Sequence, residues 1–116
     1  MQERKVYVTY EAIYDIVEAE EHIRYKFGYK RAQKYRDEIK AQFKALSTDA
    51  FIYVATKFKY RNYTIYKKTF SPAIIFWIIK DDEVHILRVP REEYDWQGFF
   101  EKHSCYEYTY PSNDFI

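Results

Sequence analysis

Ten side chains between positions 57 and 94 are candidates for polar chemistry: Lys57, Lys59, Arg61, Tyr66, Lys67, Lys68, His85, Arg88, Arg91 and Tyr94. Lys57, Lys59 and Arg61 alternate, so on an extended backbone they point one way and form a basic row suited to an anion. The same row reads equally as a solvated edge that discourages strand pairing. His85 carries an imidazole able to move a proton near neutral pH, or it is simply a half-exposed strand residue. Arg88 follows at an odd separation, so a regular strand sends His85 and Arg88 to opposite faces, and both enter one site only if a bulge intervenes. On that regular strand Arg88 shares a side with Ile86 and Pro90, where a carboxylate is an alternative partner. The adjacent acids Glu20-Glu21 and Glu92-Glu93 diverge and read as solvated. No metal-ligand spacing, glycine-rich phosphate loop or Ser-His-Asp grouping is present, so neither a metal nor a nucleotide cofactor is expected.

The elements that must position these residues follow from periodicity. Residues 5–9 read as a strand, with Val6 and Val8 on one side and Tyr7 on the other. Ile13, Ile16, Val17, Ile23 and Phe27 recur at helical spacing, with Thr9 as N-cap and Gly28 as the terminating residue. A second helix spans 30–46, its apolar face formed by Ala32, Tyr35, Ile39, Phe43 and Leu46. So short a connection makes the two helices antiparallel neighbours. Ser47 to Asp49 supplies turn chemistry, and the mixed pattern of 50–59 reads as a loop with room for short structure. Alternation over 62–70 predicts a strand that Ser71-Pro72 breaks. Residues 73–80 form a mostly apolar strand suited to the centre of a sheet, and a tight Asp81-Asp82 turn leads to a last strand over 84–89 closed by Pro90. Asp95 caps a short helix over 96–102. The tail, 104–116, has Tyr106, Tyr108 and Tyr110 at period two and reads as an edge strand or a segment that orders on binding. The expected architecture is α+β, β-αα-βββ: a helical hairpin packed on a small antiparallel sheet, with a short C-terminal helix and tail and the second sheet face left open for a ligand.

The 116 residues suit a single domain, and 47% hydrophobic against 32% charged residues describes a folded chain rather than a disordered one. Fourteen Tyr and nine Phe against two Gly imply a core built from rings, with hydroxyls that must reach water or a partner. The net charge of +1 does not announce a nucleic-acid binder, so any such role rests on local clustering. The one cysteine, Cys105, has no partner for an internal disulfide. The first ten residues lack an apolar stretch of signal-peptide length, and the longest apolar run, 73–79, is too short to span a bilayer. A cytoplasmic protein is therefore expected.

In this order of elements the chain resembles the RelE/ParE superfamily of bacterial toxins from type II toxin-antitoxin systems. The likeness rests on Val6 and Val8, the helices EAIYDIVEAEEHIRYKFG and RAQKYRDEIKAQFKAL, Tyr60-Arg61 before NYTIY, the IIFWIIKDDEVHILRV hairpin and Asp95-Trp96, and covers about residues 5 to 100. It implies a growth-inhibiting toxin of the plasmid stabilisation type, bound by a cognate antitoxin protein. The leading expectation is a metal-independent endoribonuclease that cleaves mRNA on the ribosome. The alternatives are a non-enzymatic toxin that poisons DNA gyrase, or a degenerate member that only binds protein. Cleavage of that kind needs a base to activate the RNA 2′-hydroxyl, cations on the crowded phosphate and a donor for the leaving oxygen. The resemblance places Arg88, Arg91, Tyr94 and His85 as catalytic candidates, with Lys57, Lys59 and Arg61 holding RNA. Where the family's nucleases carry strand lysines and a central arginine, this chain has Thr64, Tyr66 and Ile74.

Overall fold

The computed structural model describes residues 3–111; the last part of the tail, 112–116, lies outside the described residues. The order of elements is β1 (Lys5–Val8), α1 (Tyr10–Phe27), α2 (Tyr29–Asp49), β2 (Val54–Tyr60), β3 (Tyr63–Phe70), β4 (Ala73–Lys80), β5 (Glu83–Arg88) and α3 (Trp96–Lys102). The strands form one sheet in the order β1-β5-β4-β3-β2, with β1 parallel to β5 and the other pairs antiparallel. The α+β class, the helical hairpin on a sheet and the short final helix are as expected. The sheet is mixed rather than antiparallel and has one strand more, because 54–60 is β2 rather than loop.

Thr9 caps α1 through a hydroxyl that accepts from the Ala12 amide at 3.0 Å and donates to the Leu87 carbonyl at 2.9 Å. One buried side chain thus starts the helix and ties it to β5. Ala12, Ile16, Ala19 and Ile23 make the buried stripe of α1, so Val17 and Phe27, expected on that face, stand exposed instead. Gly28, at φ 92°, serves as both the end of α1 and the cap of α2. Ser47 to Asp49 does not turn but completes α2, where Ser47 and Thr48 hydroxyls donate back to the carbonyls of Lys44 and Ala45. The hairpin covers one sheet face, where Trp77 is fully buried, stacks on Tyr66 and donates to the Ala50 carbonyl at 3.3 Å. No helix among the described residues is long and apolar enough to cross a membrane.

The second face is not open. Phe100, Trp96 and Phe99 of α3, together with Tyr108 of the tail, cover it and build a second core over Tyr60, Ile65, Ile74, Phe76, Ile78 and Leu87. The described part of the tail forms no strand. It runs extended past the start of α1, where the Tyr10 amide donates to the Thr109 carbonyl at 2.8 Å and Glu11 accepts from the Thr109 amide at 3.1 Å and the Tyr106 hydroxyl at 3.0 Å.

Candidate functional site

A bulge decides where Arg88 points. Phe76 pairs with Arg88 but Trp77 pairs with Ile86, leaving Leu87 as an extra residue on β5. Ile86 faces the helices, whereas Leu87 and Arg88 both turn to the second face, the side that His85 occupies opposite Ile78. Arg88 therefore does not share a side with Ile86. Its guanidinium lies 4.8 Å from the Phe99 ring and 5.2 Å from the Tyr94 ring. Asp15 of α1 grips it bidentately, accepting from Nε at 2.7 Å and Nη2 at 2.9 Å, and also accepts from the Val89 amide at 2.9 Å. Both side chains are about 15% exposed. Burial opposes the charge on Arg88, but the Asp15 hydrogen bond and charge, with Tyr94 beside them, more than offset it and raise its pKa above the ordinary guanidinium value.

Arg88, Arg91 and Tyr94 meet in one cleft of about 260 Å³, which Asp15, Glu18 and Glu93 also line. Arg91 pairs there with Glu93 at 2.7 Å. The cleft thus holds three carboxylates against two arginines, and each arginine already has an acidic partner. Such a site favours a cationic or neutral polar group of a partner over a phosphate.

His85 lies elsewhere. Three residues back along β5 it is roughly 10 Å from Arg88 at the rise of a strand. Its Nε2 is 2.8 Å from Glu83 Oε1 and its Nδ1 is 2.7 Å from the Tyr110 hydroxyl, a carboxylate–imidazole–phenol chain. It lines a different hollow together with Arg61. Arg61 has left the basic row: with φ 47° it opens the two-residue β2–β3 turn, followed by Asn62 at φ 73°, and it approaches Glu107 at 4.0 Å. Lys57 and Lys59 remain exposed on β2, the outer strand of the sheet, and belong to neither cleft. Three residues of β2, Thr56 to Phe58, stand against Ile65 alone, and Thr56 Oγ1 holds this irregularity by donating to the Ile65 carbonyl at 2.7 Å.

Sequence reasoning missed Asp15, Glu83 and Tyr110. Asp15 directly precedes the buried Ile16 but shares its helix margin with Glu11 and Glu18, so nothing local set it apart, and Tyr110 had no signal because only the fold brings the tail to β5.

No family model matches the chain, and no curated protein matches it significantly. Among solved structures the fold matches a chain of the chromosomal ParDE TA system from P. aeruginosa with a TM-score of 0.66 and 23% identity, over 78% of this chain and 97% of that one. At that identity the likeness establishes a common fold, the one the sequence resemblance implied.

Proposed function

We propose that the chain is a growth-inhibiting toxin held inactive by a cognate antitoxin protein, and that it acts by binding a protein target of the DNA gyrase class rather than by cutting RNA. The fold held in common with a ParDE chain supports the toxin reading. The pairing of Arg88 with Asp15 carries the choice of mechanism. A phosphate entering that cleft must displace a bidentate carboxylate from a largely buried guanidinium, and finds Glu18 and Glu93 beside it. The acceptor and donor needed for phosphodiester cleavage are dispersed as well, with His85 in a separate hollow. Protein recognition needs no proton relay, and exposed rings such as Tyr14 and Tyr25 are suited to it.

Ribosome-dependent mRNA cleavage is the second reading, favoured by the meeting of Arg88, Arg91 and Tyr94 in one cleft. Inducing the chain alone in a bacterium and following incorporation of labelled thymidine and labelled amino acid separates the two. Early loss of thymidine incorporation is expected. Early loss of amino-acid incorporation transfers the case to cleavage, and unhindered growth sinks the toxin reading altogether.

A further inference from the structure

The hollow on the second face is built from three distant segments: the β2–β3 turn, the β4–β5 hairpin and the tail. Its volume is about 280 Å³, just under the range of roughly 300–1,000 Å³ typical of drug-sized ligands, so it suits one ring system with one charged group. Tyr60, Tyr63, Tyr108 and Tyr110 supply its aromatic walls. Tyr60 and Tyr108 meet edge to face at 5.1 Å, and Tyr110 stands edge to face with the His85 ring at 5.4 Å, so the walls are fixed by each other. Glu83 and the Tyr110 hydroxyl hold the imidazole from both ends, which fixes its plane as well.

Two cations join these rings. Lys80 is exposed at the end of β4, and Arg61 stands in the turn opposite. Arg61 differs from Arg88 in what holds it. Among the described residues its acidic neighbour is Glu107 at 4.0 Å, the outer limit of an ion pair, and that carboxylate side chain is 89% exposed. The guanidinium fork thus has donors to spare for a planar or tetrahedral anion. Its backbone lies in the left-handed region, where glycine or asparagine is the economical choice for a hairpin turn of this kind. An arginine therefore stands at a position that its own backbone disfavours. Tyr108 adds a buried hydroxyl with no hydrogen-bond partner among the described residues, a group that native structures seldom leave unsatisfied.

We infer that this hollow binds a nucleoside monophosphate unit, its base against the tyrosine rings and its phosphate on Arg61 and Lys80. Aromatic rings accept any base face, and among the described residues the two cations at the rim outnumber the one lining carboxylate, Glu107. No glycine-rich loop is needed, because side chains rather than backbone amides meet the phosphate. The site is separate from the Arg88 cleft and stands whether or not the chain is a toxin.

The test is equilibrium dialysis of the full chain with adenosine monophosphate, adenosine and inorganic phosphate. Saturable binding of the monophosphate is expected, with each half alone weaker by about tenfold or more. Arg61→Gly keeps the turn, since glycine is at ease at this φ, and should weaken monophosphate binding by roughly tenfold to a hundredfold while leaving adenosine binding unchanged. Tyr63→Leu should weaken both. A short single-stranded RNA then tells the source: tighter binding than the mononucleotide assigns the site to a strand, equal binding to a free nucleotide. Absence of saturable monophosphate binding, or an Arg61→Gly chain that stays folded by circular dichroism and binds as before, overturns the inference.

Discussion

At the scale of single residues, the carboxylate of Asp15 does more than any other group to shape the Arg88 cleft. It satisfies two guanidinium donors and a backbone amide at once, at the point where β5 ends. Replacing it with Asn keeps the volume and leaves a buried cation facing a neutral amide, at a cost of about 3 kcal/mol. Urea unfolding should show this as a lower midpoint with an unchanged slope. Replacing both partners with apolar residues, Asp15→Leu with Arg88→Met, should recover most of the loss, because the desolvation cost disappears with the charges. Under the proposed toxin function the double variant also separates roles: a folded chain that inhibits growth as the parent does shows that Arg88 serves the fold, and a folded chain that has lost the parent's inhibition assigns Arg88 to the proposed target-binding surface.

At the scale of elements, α3 turns on one close approach. The Asp95 carboxylate caps the helix by accepting from the Gly98 amide at 3.0 Å, and a Cβ on Gly98 would lie 2.4 Å from the other carboxylate oxygen. Gly→Ala inside a helix ordinarily gains roughly 0.5–1 kcal/mol. Here Gly98→Ala is expected to gain nothing or lose, because it dislodges a cap worth about 1 kcal/mol. With Asp95→Ala already in place, the same substitution should raise the melting temperature, a change of sign that thermal unfolding of the four chains reads directly. This cap was legible in the sequence because an aspartate directly before the first residue of a helix is a local signal. The helices were legible for the same reason, Tyr35, Ile39, Phe43 and Leu46 keeping strict helical spacing. β2 was not legible. Its extra residues opposite Ile65 break the period of two, and its exposed Val54 sits in the same strand as Tyr60, which the second core buries. The bulge at Leu87 is hidden in the same way, since nothing in HILRV distinguishes a regular strand from one that turns Arg88 to the face of His85.

At the scale of the whole molecule, the tail helps make the second face a core instead of a surface, and the sequence could not show it because Tyr106 to Tyr110 find their partners about a hundred residues away on α1 and about fifty away across the sheet. Ring packing of this kind has an alkaline consequence. Burial, and after it the charges of Glu20 and Asp15, pushes the Tyr35 phenol up to about 12, and burial pushes Tyr110 up to about 12 as well. Burial likewise raises Tyr108, while the hydrogen bond to Glu11 comes first in raising Tyr106. An unfolded chain releases these protons near the ordinary value of 10.0, whereas the folded chain retains them. The stability they contribute is therefore complete below about pH 10 and is lost as pH rises through about 12. For the fully buried Tyr35 alone the loss is on the order of 3 kcal/mol. Tyr108→Phe isolates the part that belongs to the tail. It keeps the ring contacts at 5.1 Å to Tyr60 and 4.9 Å to Tyr106 and removes a buried hydroxyl that has no partner among the described residues. Near neutral pH it should raise stability by about 1 kcal/mol, and its urea midpoint should fall less steeply between pH 10 and pH 12 than that of the parent chain. A parallel fall in both chains would mean that the Tyr108 hydroxyl is hydrated in the native state and that the tail only rests on the second core.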